Sequence, residues 1–106
     1  MKIAISVSGS ELSAEIDPRF GRAKGFLLVD GTAEGFEYVA NPNVDASGGA
    51  GIQTAQMVVE RGAETVITGN VGPNAYRVLE TAGVNVFTGA SGKAEEALAE
   101  YLATQA

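Results

Sequence analysis

Three of the seven lysine and arginine residues in this 106-residue chain, Arg19, Arg22 and Lys24, lie within six positions. The chain as a whole is acidic, with a net charge of -6. A local concentration of positive charge on an acidic protein is typical of a site that holds an anionic ligand. The same side chains could instead pair with neighbouring carboxylates such as Glu15 and Asp17, an arrangement that contributes about 0 to 1 kcal/mol to stability. The charge pattern leaves both interpretations open.

Several classes of chemistry are excluded because the chain contains neither cysteine nor histidine. Disulfides, thiolate ligands, imidazole ligands and Ser-His-Asp catalysis all require one of these residues. The net negative charge also argues against nucleic-acid binding, which depends on neutralising phosphates. The sequence therefore predicts no catalytic and no metal-ligating residues.

Glycines cluster in two loops that precede predicted helices, at residues 48–51 and 69–74. A helix N-terminus presents unpaired N–H groups and about half a positive charge, and glycine lets an anion approach the backbone. These glycines can also be ordinary turn residues. A P-loop is disfavoured because neither segment has the required lysine. A two-metal nuclease is disfavoured because the first strand carries no carboxylate.

Hydrophobic periodicity predicts the elements that position these loops. Strand one is followed by a long loop over residues 9–25, strands two and three form a hairpin through residues 31–35, and Ser91 is the expected N-cap of the last helix. The predicted strands cover residues 2–8, 26–30, 36–40, 64–68 and 84–87, and the predicted helices cover 51–61, 73–81 and about 92 to the end.

The resulting order is β-β-β-α-β-α-β-α, which predicts one α/β domain over residues 1–106 with a five-stranded mixed sheet. With right-handed crossovers, strands one, three, four and five point the same way, so their carboxyl ends share one rim. We expect the glycine-rich loops, the basic loop and three helix N-termini to meet there. The apolar runs are too short to span a membrane, and the N-terminus has no cleavage pattern, so we expect a cytoplasmic protein.

Two segments, Arg19-Phe20-Gly21-Arg22-Ala23 and residues 69–74 with Gly83 behind them, resemble the dinitrogenase iron-molybdenum cofactor biosynthesis family. The resemblance is to its NifX and NifB C-terminal type of domain and extends over residues 2–102. It implies a three-layer α/β/α sandwich of ribonuclease-H-like type. It also implies a small non-enzymatic carrier or scaffold for metal-sulfur clusters. Relatives called orange protein hold a molybdenum-copper sulfide cluster without covalent attachment.

The chain departs from the family in one respect, because nitrogenase-associated members are often credited with a histidine or cysteine ligand. Three interpretations therefore stay open: noncovalent capture of a preassembled anionic cluster, a different anionic ligand, or a partner that supplies the ligands. The alternatives to a carrier are an interaction module that docks an acidic segment of an assembly factor or ATPase, and a small enzyme acting on phosphorylated or nucleotide substrates. The candidate cofactor-binding residues are Ser8, Arg19, Phe20, Arg22, Gly48, Gly49, Gly51, Gly69, Asn70, Gly72 and Asn74.

Overall fold

The fold follows the predicted order of strands and helices in a computed structural model that describes residues 2–30, 35–46 and 48–105. The elements are β1 (Ile3–Val7), β2 (Gly25–Val29), β3 (Phe36–Ala40), α1 (Ala50–Glu60), β4 (Thr65–Ile67), α2 (Pro73–Thr81), β5 (Asn85–Phe87) and α3 (Ala94–Gln105). The predicted β2–β3 turn lies almost wholly outside the described residues. Among the described residues, no helix is long and apolar enough to cross a membrane.

The five strands form one mixed sheet in the order β3-β2-β1-β4-β5. Strand β2 is antiparallel to β1 and to β3, whereas β1, β4 and β5 are mutually parallel. Strands β1, β3, β4 and β5 consequently point in one direction, and their carboxyl ends share a rim as predicted.

Helices cover both faces of the sheet, which confirms the predicted three layers. Residues of β1 alternate between two apolar clusters, so that Ala4 faces the layer of α1 and α2 while Ile5 faces α3. All five residues of β1 are buried, as expected for a central strand covered on both sides.

The loop between β1 and β2, residues 8–24, is held to the sheet by backbone contacts. Val7 pairs with Ile16, and Arg19 forms a parallel bridge with Asn70, the third residue after the end of β4. The N–H of Phe20 donates to the carbonyl oxygen of Asn70 at 3.2 Å. Residues 19–24, called the basic segment below, are therefore tied to the end of the sheet where the glycine-rich loops lie.

The predicted start of α3 is wrong. Helix α3 begins at Ala94, so Ser91 lies two residues before the N-cap position. The Lys93 N–H instead donates to Oε1 of Glu96 at 3.4 Å. The reciprocal carboxylate contact of a capping box is thus present, but it is centred on Lys93.

Candidate anion-binding cleft

An open cleft of about 420 Å³ lies at the rim, between the basic segment and the N-termini of α1 and α2. The cleft is lined by Arg19, Phe20, Gly21, Arg22, Gly49, Ala50, Gly51, Ile52, Asn70, Gly72, Pro73, Asn74 and Ala75.

Eight of the eleven candidate residues named from the sequence line this cleft: Arg19, Phe20, Arg22, Gly49, Gly51, Asn70, Gly72 and Asn74. The other three, Ser8, Gly48 and Gly69, are not among its lining residues. The Ser8 hydroxyl donates to the carbonyl oxygen of Glu15 at 3.2 Å. Gly69 lies against Pro18, where an added Cβ would come within 2.7 Å of Pro18 Cα. Gly69 therefore permits close packing behind the basic segment.

Helix α1 begins at the cleft without a side-chain cap. Its N-cap residue Gly49 has φ 70°, a left-handed conformation suited to glycine, and its first turn has no acidic residue. The first intrahelical bond runs from the Gln53 N–H to the Gly49 carbonyl at 3.0 Å. Among the described residues, no protein group accepts from the N–H groups of Ala50, Gly51 or Ile52.

Helix α2 also begins at the cleft without a side-chain cap. Its N-cap is Gly72, and Pro73 occupies the first turn, where its missing N–H removes nothing. The Tyr76 N–H bonds to the Gly72 carbonyl at 2.9 Å. The Asn74 and Ala75 N–H groups find no acceptor within the described part of the chain. Two helix N-termini therefore present free donors to one space.

The third helix N-terminus does not contribute, which corrects the expectation of three. The Ala94 N–H donates to the Ala14 carbonyl at 2.8 Å, and the Glu95 N–H donates to the Leu12 carbonyl at 3.0 Å. Glu95 and Glu96 already place negative charge in the first turn of α3. Backbone carbonyl groups thus accept from the first N–H groups of this helix, and its acidic side chains compensate the helix dipole.

The two arginines of the cleft are held differently. Nη1 of Arg22 donates to the Val44 carbonyl at 3.2 Å, which orients the guanidinium. Arg19 has a side chain that is 67% exposed, and its Nε lies 3.5 Å from Oδ1 of Asp17. Arg22 is therefore the better fixed positive group, and the contact of Arg19 with Asp17 belongs to the ion pairing that the sequence left open.

Phe20 supports the cleft mainly from the side of the hydrophobic core. It is 1% exposed and packs edge-on against Phe26, with ring centroids 5.4 Å apart. The aromatic ring fixes the backbone between the two arginines in the core.

Sequence reasoning missed Gly21 as a site residue. A Cβ added to Gly21 would lie 2.8 Å from Gly51 Cα and 2.9 Å from Gly51 N, so the basic segment touches the first turn of α1 backbone to backbone. Gly51 is itself close to Ala75, whose Cβ would be 3.2 Å from an added Cβ. The available signal was the glycine between Phe20 and Arg22, a residue type that permits close backbone approach.

The donor set of the cleft suits a preassembled anion and not a bare metal ion. Backbone N–H groups, guanidinium groups and the Asn74 amide all donate hydrogen bonds. The described residues include no group of three or more carboxylates that could hold a metal ion. In a chain without cysteine or histidine, donors of this kind suit outer-sphere contacts to an anion.

A second, more apolar groove of about 440 Å³ adjoins the cleft. Ile52 and Asn74 line both spaces. The groove adds Arg77, Val78 and Thr81 from α2. Arg77 forms no ion pair with any described residue.

The dinitrogenase iron-molybdenum cofactor family model matches residues 1–104. The chain belongs to this family. The match confirms the resemblance found in the sequence and places the protein among small cofactor-binding domains related to iron-molybdenum cofactor processes.

Solved structures confirm the fold. The apo orange protein of Desulfovibrio gigas is 39% identical, with a TM-score of 0.93, covering 98% of this chain and 88% of that one. A Thermotoga protein assigned as NifB, of the DUF35 family, is 36% identical with a TM-score of 0.80, covering 94% and 85%. A relative known by its sequence, an uncharacterized protein of Methanocaldococcus jannaschii, is 29% identical, covering 96% of this chain and 86% of that protein.

Proposed function

We propose that the protein is a non-enzymatic, cytoplasmic carrier that holds an anionic metal-sulfur cluster noncovalently in the cleft. The cargo would be an iron-molybdenum cofactor, one of its precursors, or a molybdenum-copper sulfide cluster. The observation that carries the proposal is the convergence of Arg22 and the uncapped N-termini of α1 and α2 on one space. Family membership makes a cluster the most fitting anion.

The roles of individual residues follow from their chemistry. Arg22 and Arg19 would balance the cluster charge, and the N–H groups of Gly51 and Asn74 would donate to its outer sulfur atoms. The glycines at the helix N-termini leave the backbone open, because a Cβ added to Gly49 or Gly72 would meet nothing within 4 Å. No thiolate is needed when the cluster arrives already assembled.

The test is a titration of the purified protein with tetrathiomolybdate and copper, followed by gel filtration and absorption spectroscopy. Charge-transfer colour should co-elute with the wild type. Arg22→Glu should reduce retention at least about a hundredfold, since it replaces an attractive charge with a repulsive one. The matched control is Lys24→Glu, which makes the same charge change two residues away at a side chain outside the cleft lining.

Two results would refute the proposal. One is a wild type that retains neither this cluster nor an isolated iron-molybdenum cofactor. The other is equal loss in the Arg22→Glu and Lys24→Glu variants, which would mean that only overall charge matters.

Docking of an acidic partner segment is the second candidate function, and the adjoining groove favours it. Arg77 is a cation beside an apolar surface and has no ion-pair partner among the described residues. A protein that delivers or receives the cluster would approach across the cleft mouth and could place a carboxylate on Arg77. Under this reading Arg77→Glu would slow transfer to an assembly factor or ATPase while leaving cluster retention unchanged.

A further inference from the structure

A buried asparagine behind the cleft contacts the backbone on both sides of Arg22. Asn41 is 3% exposed and directly follows β3. Its Nδ2 donates to the carbonyl oxygens of Gly21 at 3.2 Å and Ala23 at 3.0 Å. The two protons of one side-chain amide therefore hold the carbonyl groups of the two residues that flank Arg22.

The other end of the same amide acts on the Arg22 side chain. Oδ1 of Asn41 accepts from the Asn43 N–H at 3.0 Å, which starts a turn. Val44 lies in that turn, and its carbonyl oxygen accepts from Nη1 of Arg22. Asn41 is thus bonded to the backbone on both sides of Arg22 and to the turn that holds its guanidinium.

Thr54 connects this arrangement to α1. Its side chain is fully buried, and Oγ1 lies 3.0 Å from the Gly21 carbonyl oxygen and 3.3 Å from Oδ1 of Asn41. The hydroxyl donates to Gly21, whose carbonyl oxygen then accepts from both Asn41 and Thr54. These bonds lie beside the contact of Gly21 with the first turn of α1.

We propose that Asn41 is the positioning residue of Arg22, and that Thr54 links this pair to the N-terminus of α1. The inference rests on the proposed anion site. Holding Arg22 in place before the anion arrives lowers the conformational entropy lost on binding. Asn41 does not line the cleft, so it would change affinity indirectly, by placing Arg22.

The test is a double-mutant cycle with tetrathiomolybdate as the probe, measured by equilibrium dialysis. Asn41→Ser keeps an oxygen that can start the turn but removes both amide donors. In the wild-type background it should weaken binding about tenfold, because binding must then immobilise an Arg22 side chain that is no longer held in place. In an Arg22→Ala background it should change affinity less than about twofold, because the group it positions is absent.

The matched control is Thr65→Val, which removes a buried hydroxyl contact in the α3 layer. Thr65 Oγ1 lies 3.0 Å from the Tyr101 hydroxyl, away from the cleft. This variant should lose stability without losing affinity. If Asn41→Ser does not fold, Thr54→Val takes its place in the cycle. Equal loss of affinity with and without Arg22, or no loss at all, would overturn the inference.

A second measurement separates this inference from the proposed function. If the wild type binds no anion, the proposed function fails, but amide hydrogen exchange in the free protein still tests the positioning. Asn41→Ser should speed exchange of the Phe20 and Asn41 amides, which donate to the carbonyl oxygens of Asn70 and Lys24 at the two ends of this segment, about tenfold or more, whereas Thr65→Val should leave it unchanged. Unchanged exchange in Asn41→Ser would overturn the positioning role.

Discussion

The N-termini of α1 and α2 differ from the N-terminus of α3, although all three follow strands that point to one rim. In α3, carbonyl groups of Leu12 and Ala14 accept from the first N–H groups, and Glu95 and Glu96 supply negative charge. In α1 and α2 the first turns have neither side-chain caps nor acidic residues. At a capped helix end the first N–H groups already have protein acceptors. At an uncapped end beside arginines the N–H groups are available to a ligand.

Forcing the basic segment away from the first turn of α1 should have the largest effect on stability. Gly21→Ala places a Cβ 2.8 Å from Gly51 Cα, where backbone must move. We expect a loss of about 1 to 3 kcal/mol in the free energy of unfolding, the usual cost of overpacking. Anion binding should weaken as the segment moves away from α1. Urea denaturation checks the first effect.

The control for this prediction is Gly48→Ala, since a Cβ added there meets nothing within 4 Å. It should leave stability within about 0.5 kcal/mol. Equal destabilisation by both variants would contradict the role given to the contact between Gly21 and Gly51.

Adding a carboxylate to α2 should make it resemble α3. Asn74→Asp puts a negative charge in the first turn, so stability should rise by about 0.3 to 1 kcal/mol through the helix dipole. Tetrathiomolybdate affinity should fall about tenfold because the carboxylate repels the anion in the cleft. Thermal unfolding and equilibrium dialysis measure the two opposite changes.

Asn85→Asp provides the comparison, because it makes the same chemical change at an exposed residue outside the cleft lining. It should leave the affinity unaltered. If Asn74→Asp altered neither quantity, the N-terminus of α2 would not be an open anion site.

Removing a carboxylate from α3 should have the smallest effect. Glu96→Gln weakens the interaction with the helix dipole and should lower stability by about 0.3 to 1 kcal/mol. Affinity for tetrathiomolybdate should stay the same, because Glu96 is not among the residues that line the cleft. A marked change in affinity would show that the two regions are coupled, contrary to the comparison.

The order of elements and the shared rim could be predicted because strand alternation, helix stop signals and crossover handedness are local or general properties. The bounds of β3 and α2 agree with the structure for this reason. The cleft was only partly predictable. Arg19, Arg22 and the glycines before α1 and α2 gave signals of charge and residue type.

Long-range contacts explain the rest. Nothing near Ser91 in the sequence reveals that Leu12 and Ala14 accept from the first turn of α3. The contact of Gly21 with Gly51 joins residues thirty positions apart. The role of Asn41 likewise depends on a chain reversal that brings it behind Arg22. Ser8 directly follows β1, yet its hydroxyl donates to the Glu15 carbonyl and it does not line the cleft.

The most direct test of the account is an amide NMR titration of the wild-type protein with tetrathiomolybdate. The N–H signals of Gly51, Asn74 and Ala75 should shift strongly and saturate together, because their donors face the bound anion. The signals of Ala94 and Glu95 should stay in place, since protein carbonyls already occupy those donors. Comparable shifts at all three helix N-termini, or shifts confined to surface arginines, would contradict the claim that two open helix ends form the site.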